Sequence, residues 1–179
     1  MNRLAKIALL RGINVGVKNR IKMAELRDSL AGAGFENVRT YIQSGNIAFD
    51  SKMNSSKLEA LIRDTIEDDF GFDVPVLVRE QKYFQEVMAK SPYCKAGKPK
   101  FDISELHVTL LSKNPSAKAV RELAEHEFID QYEIVGDVVY LRLLGAYHKT
   151  KLNNNFLEKK LGISATSRNW KTVCKLVEM

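Results

Sequence analysis

A repeated hairpin pattern places the strongest constraint on how this 179-residue chain folds. Residues 38–43 alternate between apolar and polar, and Gly45-Asn46 then precedes the apolar run Ile47-Ala48-Phe49. In the same way, Gly136-Asp137 follows residues 132–135 and precedes Val138-Val139-Tyr140. Glycine paired with Asn or Asp tolerates the positive φ that a two-residue hairpin turn requires. The sequence therefore predicts one such hairpin in each half of the chain.

The elements around the two hairpins follow the same order, which predicts an internal duplication. The first half reads as a strand, a helix, the hairpin, a helix, a strand and a helix, at 4–10, 23–30, 38–49, 55–70, 74–78 and 81–89. The second half repeats this order at 106–111, 114–123, 132–143, 152–161, 163–167 and 170–177, and Arg79 and Arg168 hold similar positions. Ser55 or Ser56 is expected to cap the second helix of the first half. In the second half, Asn114 is expected to cap its helix and Pro115 to open it, and Trp170 is expected to lie in the core.

The predicted fold class is α+β, with two duplicated ferredoxin-like halves. Each half is a βαββαβ unit plus a C-terminal helix, and the predicted limits are residues 1–90 and 105–179. Residues 91–104 are expected to form a linker or surface loop, because residues 91–100 include two prolines, one glycine and three lysines.

Composition indicates a globular protein that needs no metal or disulfide to form a core, since 45% of its residues are hydrophobic. Cys94 and Cys174 lack metal or redox spacing, so we predict no metal site and no cofactor. Because no apolar run reaches membrane-spanning length and Met1–Leu4 lacks an apolar signal core, a cytoplasmic location without membrane contact is expected. No oligomeric state is predicted.

The basic residues gather towards the two ends of the sequence, within a formal net charge of +6. Residues 1–24 contain six basic residues and no acidic one, and residues 142–177 contain eight basic residues and one acidic one. If the fold brings these segments together, the expected partner is anionic, either a nucleic acid or a small anionic ligand. Scattered, solvated lysines are the alternative.

Two strand-to-helix connections are candidate anion sites. The loop from Arg11 to Asn19 contains Asn14 and Lys18, and its glycines would let a ligand approach the start of a helix. Its glycine spacing differs from that of a P-loop, and a purely structural turn is the alternative. The segment Thr166–Trp170 enters the last helix, and there Arg168 could clamp a phosphate or carboxylate while Asn169 orients it. A structural tie of Arg168 to a carboxylate or to helix carbonyls in the other half is the alternative.

The first hairpin adds polar side chains, which occupy every second position, between the positions of its apolar residues. Arg39, Tyr41 and Gln43 lie at these positions, and Ser44 and Asn46 lie at the turn. Such a set suits an anion or a base edge, although the aromatic signature of RNA-recognition modules is absent. Together, the candidate ligand-binding residues are Arg11, Asn14, Lys18, Arg39, Tyr41, Gln43, Ser44, Asn46, Arg168 and Asn169.

Three blocks resemble the bacterial family of domain of unknown function 1697 (DUF1697). They are Ala8–Gly16 with Lys18-Asn19, Gly34–Asn46, and Phe156–Gly162 continuing into Ala165–Trp170. Val17 departs from the pattern, because the family often has a second glycine at this position. The resemblance implies an α+β fold with related halves and no established reaction.

The sequence contains no recognisable catalytic set. His107, His126 and His148 lie in unrelated settings, and no Gly-x-Ser-x-Gly elbow occurs. Three classes of function therefore stay open: recognition of an anion, catalysis on a small anionic metabolite with His148 or Tyr41 as the titratable group, and a structural or protein-interaction role. The favoured prediction is an anion-recognising site in which Arg11, Arg39 and Arg168 converge.

Overall fold

The computed structural model describes residues 5–95 and 98–179 and divides the chain into two compact units. The first unit runs to Tyr83 and includes Leu176–Met179, and the second is Phe84–Lys175. Gln81 holds the C-terminal segment in the first unit, because its Nε2 donates to the carbonyl of Val177 at 2.9 Å. Met1–Leu4 of the predicted first half and Ala96-Gly97 of the predicted linker lie outside the described residues. The predicted limits 1–90 and 105–179 stay a prediction.

The first unit is a four-stranded antiparallel sheet with the order β2-β3-β1-β4. Its elements are β1 (Ala5–Leu10), α1 (Met23–Gly32), β2 (Glu36–Tyr41), β3 (Asn46–Asp50), α2 (Ser55–Phe70) and β4 (Val76–Glu80). Helix α3 (Gln81–Ala89) follows β4 directly and crosses into the second unit. The βαββαβ order and the antiparallel sheet confirm the predicted ferredoxin-like arrangement.

Helices α1 and α2 cover one face of this first sheet. Alternate residues of the strands meet a helical stripe of spacing three and four, as expected for two amphipathic layers. The buried contributors include Ala8, Leu10, Ile47, Phe49, Leu26, Leu30, Leu58, Ile62 and Ile66. The ring of Phe35 packs edge-on against Phe49 at 4.9 Å between centroids, which closes the core beside β3.

The second unit repeats the plan with the sheet order β10-β7-β9-β8. Its elements are β7 (Leu106–Leu111), α4 (Ala117–Ala124), β8 (Gln131–Val135), β9 (Val138–Arg142), α5 (Asn154–Leu161) and β10 (Ala165–Asn169), followed by α6 (Trp170–Glu178), whose residues from Leu176 onward belong to the first unit. The buried Trp170, 2% exposed, confirms the expected core position. The predicted linker contains a two-stranded ribbon, β5 (Cys94–Lys95) with β6 (Lys98–Pro99), and a 3₁₀ turn at Ile103–Glu105.

The duplication extends to how the second helix of each βαββαβ repeat, α2 or α5, begins and ends. The side chains of Asn54 and Asn153 each accept a hydrogen bond from the backbone N–H three residues later, before α2 and α5 respectively. Gly71 and Gly162 end the same helices in the left-handed conformation, with φ of +76° and +67°. Two halves with the same capping pattern support descent from one repeated unit.

In each unit, a glutamate carboxylate from the helix that Asn54 or Asn153 caps reaches the outer strand of that unit's sheet. Glu59 Oε1 accepts the backbone N–H of Val78 at 2.8 Å, and Glu158 Oε1 accepts that of Ala165 at 2.9 Å. These strands, β4 and β10, lie at corresponding edges in the two sheet orders. The two glutamates therefore satisfy edge N–H groups that no neighbouring strand pairs.

The prediction of a two-residue turn is confirmed for one hairpin and wrong for the other. Val135 pairs with Val138, so Gly136-Asp137 forms the predicted turn. In the first hairpin Tyr41 pairs with Asn46, so the connection has four residues and Asn46 belongs to β3. The buried Asn46 amide donates to the carbonyl of Tyr41 at 3.0 Å, which fixes it in the strand and leaves the positive φ to Ile42 and Gly45.

Two helix caps also differ from the prediction. Asn54, rather than Ser55 or Ser56, caps α2, because Ser55 is already helical. Ser116, rather than Asn114, caps α4 by accepting the N–H of Ala119 at 3.2 Å. Among residues 5–95 and 98–179, no helix has both the length and the apolar character needed to cross a membrane.

Candidate functional site

The loop between β1 and α1 folds back on itself as a small ribbon. Val15 and Lys18 form an isolated antiparallel bridge, and the N–H of Asn14 donates to the carbonyl of Asn19 at 3.0 Å. Gly12 and Gly16 have φ of +76° and +60°, and an added Cβ would meet nothing within 4 Å at either position. These glycines are therefore needed for their backbone conformation rather than for close packing.

Asn14 joins this loop to the first hairpin. Its Nδ2 donates to the carbonyl of Gln43 at 2.8 Å and to that of Ile21 at 2.9 Å, and its Oδ1 accepts the N–H of Ile21 at 3.0 Å. These bonds use both amide hydrogens and the amide oxygen, so the side chain acts as a brace. The structure thus brings together two of the predicted site residues, Asn14 and Gln43.

A cavity of about 670 Å³ opens beside this brace at the start of α1. Its lining is Asn14, Arg20, Ile21, Lys22, Met23, Glu25 and Gln43. Lys22 is the N-cap residue of α1 and provides no side-chain cap. The first N–H groups of the helix therefore lack the side-chain acceptor that Ser, Asp or Asn would supply, at the end where the helix dipole is positive.

The two cations that line this cavity differ in whether they form an ion pair. Arg20 donates through NH2 to the carbonyl of Gly16 at 2.9 Å and forms no ion pair with a residue that the structure describes. Lys22 Nζ contacts Glu25 Oε1 at 2.9 Å, and this hydrogen bond and the charge of Glu25 raise the pKa of Lys22. Both members of the pair are exposed, so solvent screens their attraction.

Arg20 and Lys22 line this cavity and are not among the ligand-binding residues predicted from the sequence. Their position directly before the first predicted helix is the signal that could have singled them out. A cation at a helix N-terminus opposes the helix dipole and so does not stabilise the helix through it. Lys18, the predicted cation of this loop, is exposed at the end of the ribbon and does not line the cavity.

The remaining predicted residues of the first unit are spread over the loop and the hairpin. Arg11 is half-buried, and its backbone N–H donates to the carbonyl of Pro75 at 3.0 Å. Arg39 is exposed and pairs with Ala48, which places it on the sheet face opposite α1 and α2. Tyr41 is half-buried on the same face, and pairs with Asn46.

Ser44 lies in the turn of the first hairpin, and Asn46 is the first residue of β3 after that turn. Asn46 is fully buried and donates through Nδ2 to Ser44 Oγ at 2.9 Å, in addition to its bond to β2. Ser44 is half-buried. The contacts described for Asn46 thus hold the four-residue turn in place, next to the carbonyl of Gln43 that Asn14 binds.

Arg168 and Asn169 lie at the end of β10 in the second unit. Arg168 donates through NH1 to the carbonyl of Ser167 at 2.9 Å, and desolvation lowers the pKa of its guanidinium to about 10, which nearby Tyr147 partly offsets. Arg79 makes the matching bond to the carbonyl of Val78 at 3.0 Å in the first unit. Asn169 Oδ1 accepts the N–H of Thr172 at 2.8 Å, which caps α6. The convergence of Arg11, Arg39 and Arg168 stays a prediction.

Comparison with known proteins gives a family and a fold. The family model described as "Protein of unknown function (DUF1697)" matches residues 2–140. The chain belongs to the DUF1697 family. The first two blocks of the resemblance noted above lie inside this match, and the third lies beyond it. No curated protein matches the chain.

A solved structure of similar size shares the fold of this DUF1697 member. It is described as the structure of conserved bacterial protein SP0830 from Streptococcus pneumoniae. The two chains are 25% identical with a TM-score of 0.72, and the match covers 99% of this chain and 98% of the other. The likeness therefore extends over both units, including the part of the chain that the family model does not match.

The three histidines of this DUF1697 protein lie in different surroundings. His107 stacks on Tyr147 at 5.4 Å between ring centroids, and burial lowers its pKa, with a smaller opposing contribution from the backbone of Glu105. His126 stacks on Phe128, and His148 is exposed in a 3₁₀ turn. Across residues 5–95 and 98–179, no three His, Cys, Asp or Glu side chains gather as they would around a metal ion.

Proposed function

We propose that the first unit binds a small anionic ligand through a phosphoryl or carboxylate group, in the cavity at the start of α1. The observation that supports this most directly is that Arg20, which has no described ion-pair partner, lines a cavity at a helix N-terminus without a side-chain cap. Backbone N–H groups and the helix dipole favour negative charge at such a terminus. The cavity lies within the usual volume range of small-molecule sites, about 300–1,000 Å³.

In this proposal, each lining residue has a separate role. Arg20 contacts the anion, because its guanidinium can donate two parallel hydrogen bonds to phosphate or carboxylate oxygens. Lys22 exchanges its exposed partner Glu25 for the ligand, which costs little because solvent already screens that pair. Gln43 is exposed and its side-chain amide has no described partner, so it is available to orient the ligand. Asn14 holds the loop and hairpin at the spacing that forms the cavity.

Arg11, Lys18 and Arg39 are further cations of the first unit that the sequence predicts as ligand-binding residues, and none of them lines this cavity. A longer anion such as a single-stranded oligonucleotide would extend towards them, whereas a small anion would not. The two partners differ in their salt dependence. Each phosphate contact of an oligonucleotide releases counterions, so its affinity falls steeply with added salt. We favour the small anion because, among the residues that the structure describes, two cations line the cavity, Arg20 and Lys22.

The experiment is a thermal-shift titration with inorganic phosphate, pyrophosphate, citrate and a short oligonucleotide, followed by calorimetry on whichever compound stabilises. Ligands that bind the native state raise its stability by mass action. The variant is Arg20→Gln, and the matched control is Lys52→Gln, which removes one exposed cation of the same unit away from the cavity. We expect the wild type and the control to be stabilised alike and Arg20→Gln to lose most of the shift. An equal shift in all three proteins would contradict the proposal.

A further inference from the structure

We propose that the second unit contains a separate site for a small organic anion with an apolar body, such as an aryl carboxylate. The site is a cavity of about 360 Å³. Its lining is Glu127, Phe128, Ile129, Asp130, Lys149 and Lys151. This volume lies within the range of small-molecule sites, about 300–1,000 Å³. The site is independent of the anion cavity at α1.

The apolar wall of this cavity consists of one side chain held by its neighbours, Phe128, and one exposed side chain, Ile129. Phe128 packs edge-on against Tyr132 and against Phe156, with 5.6 Å between ring centroids in both pairs. These contacts hold the ring of Phe128 in place. Ile129, beside it, is 86% exposed. A ligand with an apolar body would remove this side chain from water while stacking against an immobile ring.

The cationic wall consists of Lys149 and Lys151. Neither side chain forms a hydrogen bond or ion pair with a residue that the structure describes, and both are exposed. Thr150, between them, is buried, and its Oγ1 donates to Asp130 Oδ2 at 2.6 Å. The backbone that carries the two lysines is therefore anchored, while their ammonium groups are available to an anion.

The two carboxylates in the lining differ in what they can do. Asp130 is already used, because Oδ1 accepts the N–H of Leu144 at 2.9 Å and Oδ2 accepts the hydroxyl of Thr150. Glu127 is exposed and has no described partner. Its charge opposes the binding of an anion, so its removal is expected to strengthen binding. This opposite sign provides a test that a general loss of structure could not imitate.

The ligand must combine both properties to use the whole cavity. An anion without an apolar body would leave Ile129 in water, and an apolar alcohol would leave both lysines without a partner. We therefore expect 2-naphthoate to bind the full-length protein more tightly than acetate and than 2-naphthalenemethanol. The expected difference is about tenfold or more in each case, since each comparison removes one of the two contributions.

The experiment is a calorimetric titration of the wild type and five variants with these three compounds. Lys149→Gln/Lys151→Gln should weaken naphthoate binding by about fivefold to tenfold, because each exposed charge contact contributes modestly. Ile129→Ser should weaken naphthoate binding with little effect on acetate, and Glu127→Gln should strengthen naphthoate binding. Lys171→Gln, an exposed cation of the same unit outside the cavity, is the matched control and should bind as the wild type does.

Three results with the wild type and the Glu127→Gln variant would overturn the proposal. They are no naphthoate binding by the wild type, equal affinities for naphthoate and 2-naphthalenemethanol, and weaker binding by Glu127→Gln. Arg20→Gln separates this site from the proposed function, since it should leave naphthoate binding unchanged even if it abolishes the response to phosphate. Loss of naphthoate binding in Arg20→Gln would show that the naphthoate site is at α1 and would also overturn the proposal.

Discussion

Gly45 tests how tightly the first hairpin packs against the loop that carries the candidate anion site. Its φ is +77°, and its carbonyl accepts the N–H of Leu10 at 2.8 Å. A Cβ added at this position would lie 2.6 Å from the Cβ of Leu10 and 2.9 Å from Cδ1 of Ile13. The Cβ of Leu10 is attached directly to the backbone, so no side-chain rotation relieves the first contact. Gly45→Ala must therefore shift β1 or the turn.

The magnitude follows from two unfavourable contributions and one favourable one. A left-handed conformation costs an alanine about 1–2 kcal/mol relative to its preferred regions. Forcing an extra methyl group into a packed site adds about 1–3 kcal/mol. Alanine also lowers the conformational entropy of the unfolded chain, which offsets about 0.4–1 kcal/mol of this destabilisation. We expect Gly45→Ala to lower the free energy of unfolding by about 2–4 kcal/mol.

Gly71→Ala is the matched control. Gly71 has φ of +76°, and an added Cβ there would meet nothing within 4 Å. The control therefore keeps the conformational strain and omits the steric contact, so we expect a loss of about 1 kcal/mol. The assay is urea unfolding of the three proteins, compared by their midpoints at equal slope. Equal destabilisation by the two substitutions would refute the reasoning, because it would show that the packing around Gly45 imposes no cost.

Two further predictions concern buried polar groups of the second unit. Tyr140 donates its hydroxyl to the carbonyl of Val87 at 2.7 Å, so Tyr140→Phe should cost about 1–2 kcal/mol in urea unfolding, whereas Tyr132→Phe, whose hydroxyl has no described partner, should cost close to nothing. Burial lowers the pKa of His107 below its ordinary value of 6.5, so the unfolded chain binds the proton more readily, and the stability that the neutral ring contributes is lost as pH falls below about 6.5. Unfolding measured across this pH range should therefore show a shallower decline in His107→Gln, and identical pH profiles would contradict this assignment.

The sequence predicted the order of the elements because local patterning determines it. Alternating strands, helical stripes and glycine stops recur in both halves, and these signals need no knowledge of tertiary contacts. The predicted turn of the first hairpin was wrong because Asn46 suits both a turn position and a strand position. It tolerates a turn conformation, but here its amide bonds to Tyr41 and Ser44 favour a place in the strand. The choice between these positions depends on neighbours that the local sequence does not specify.

The sequence predicted the candidate site less completely than it predicted the fold. Asn14 and Gln43 were both predicted, and the structure brings them together, but their contact is a structural brace between the Asn14 side chain and the backbone carbonyl of Gln43. Arg20 was missed because its importance comes from a cavity formed between the loop and the hairpin. Such a cavity depends on how segments distant in sequence approach each other, and residue type and spacing alone do not reveal it.

The glutamates at the outer strands have a consequence for self-association. A strand edge with unsatisfied N–H groups can act as a template onto which another chain adds its own strand, the first step towards fibrils. Glu59 and Glu158 already accept hydrogen bonds from β4 and β10 at the position that an incoming strand would need. An intruding chain would have to displace a helix-borne carboxylate before it could pair there, so the duplicated glutamate protects both sheets from aggregation at this edge.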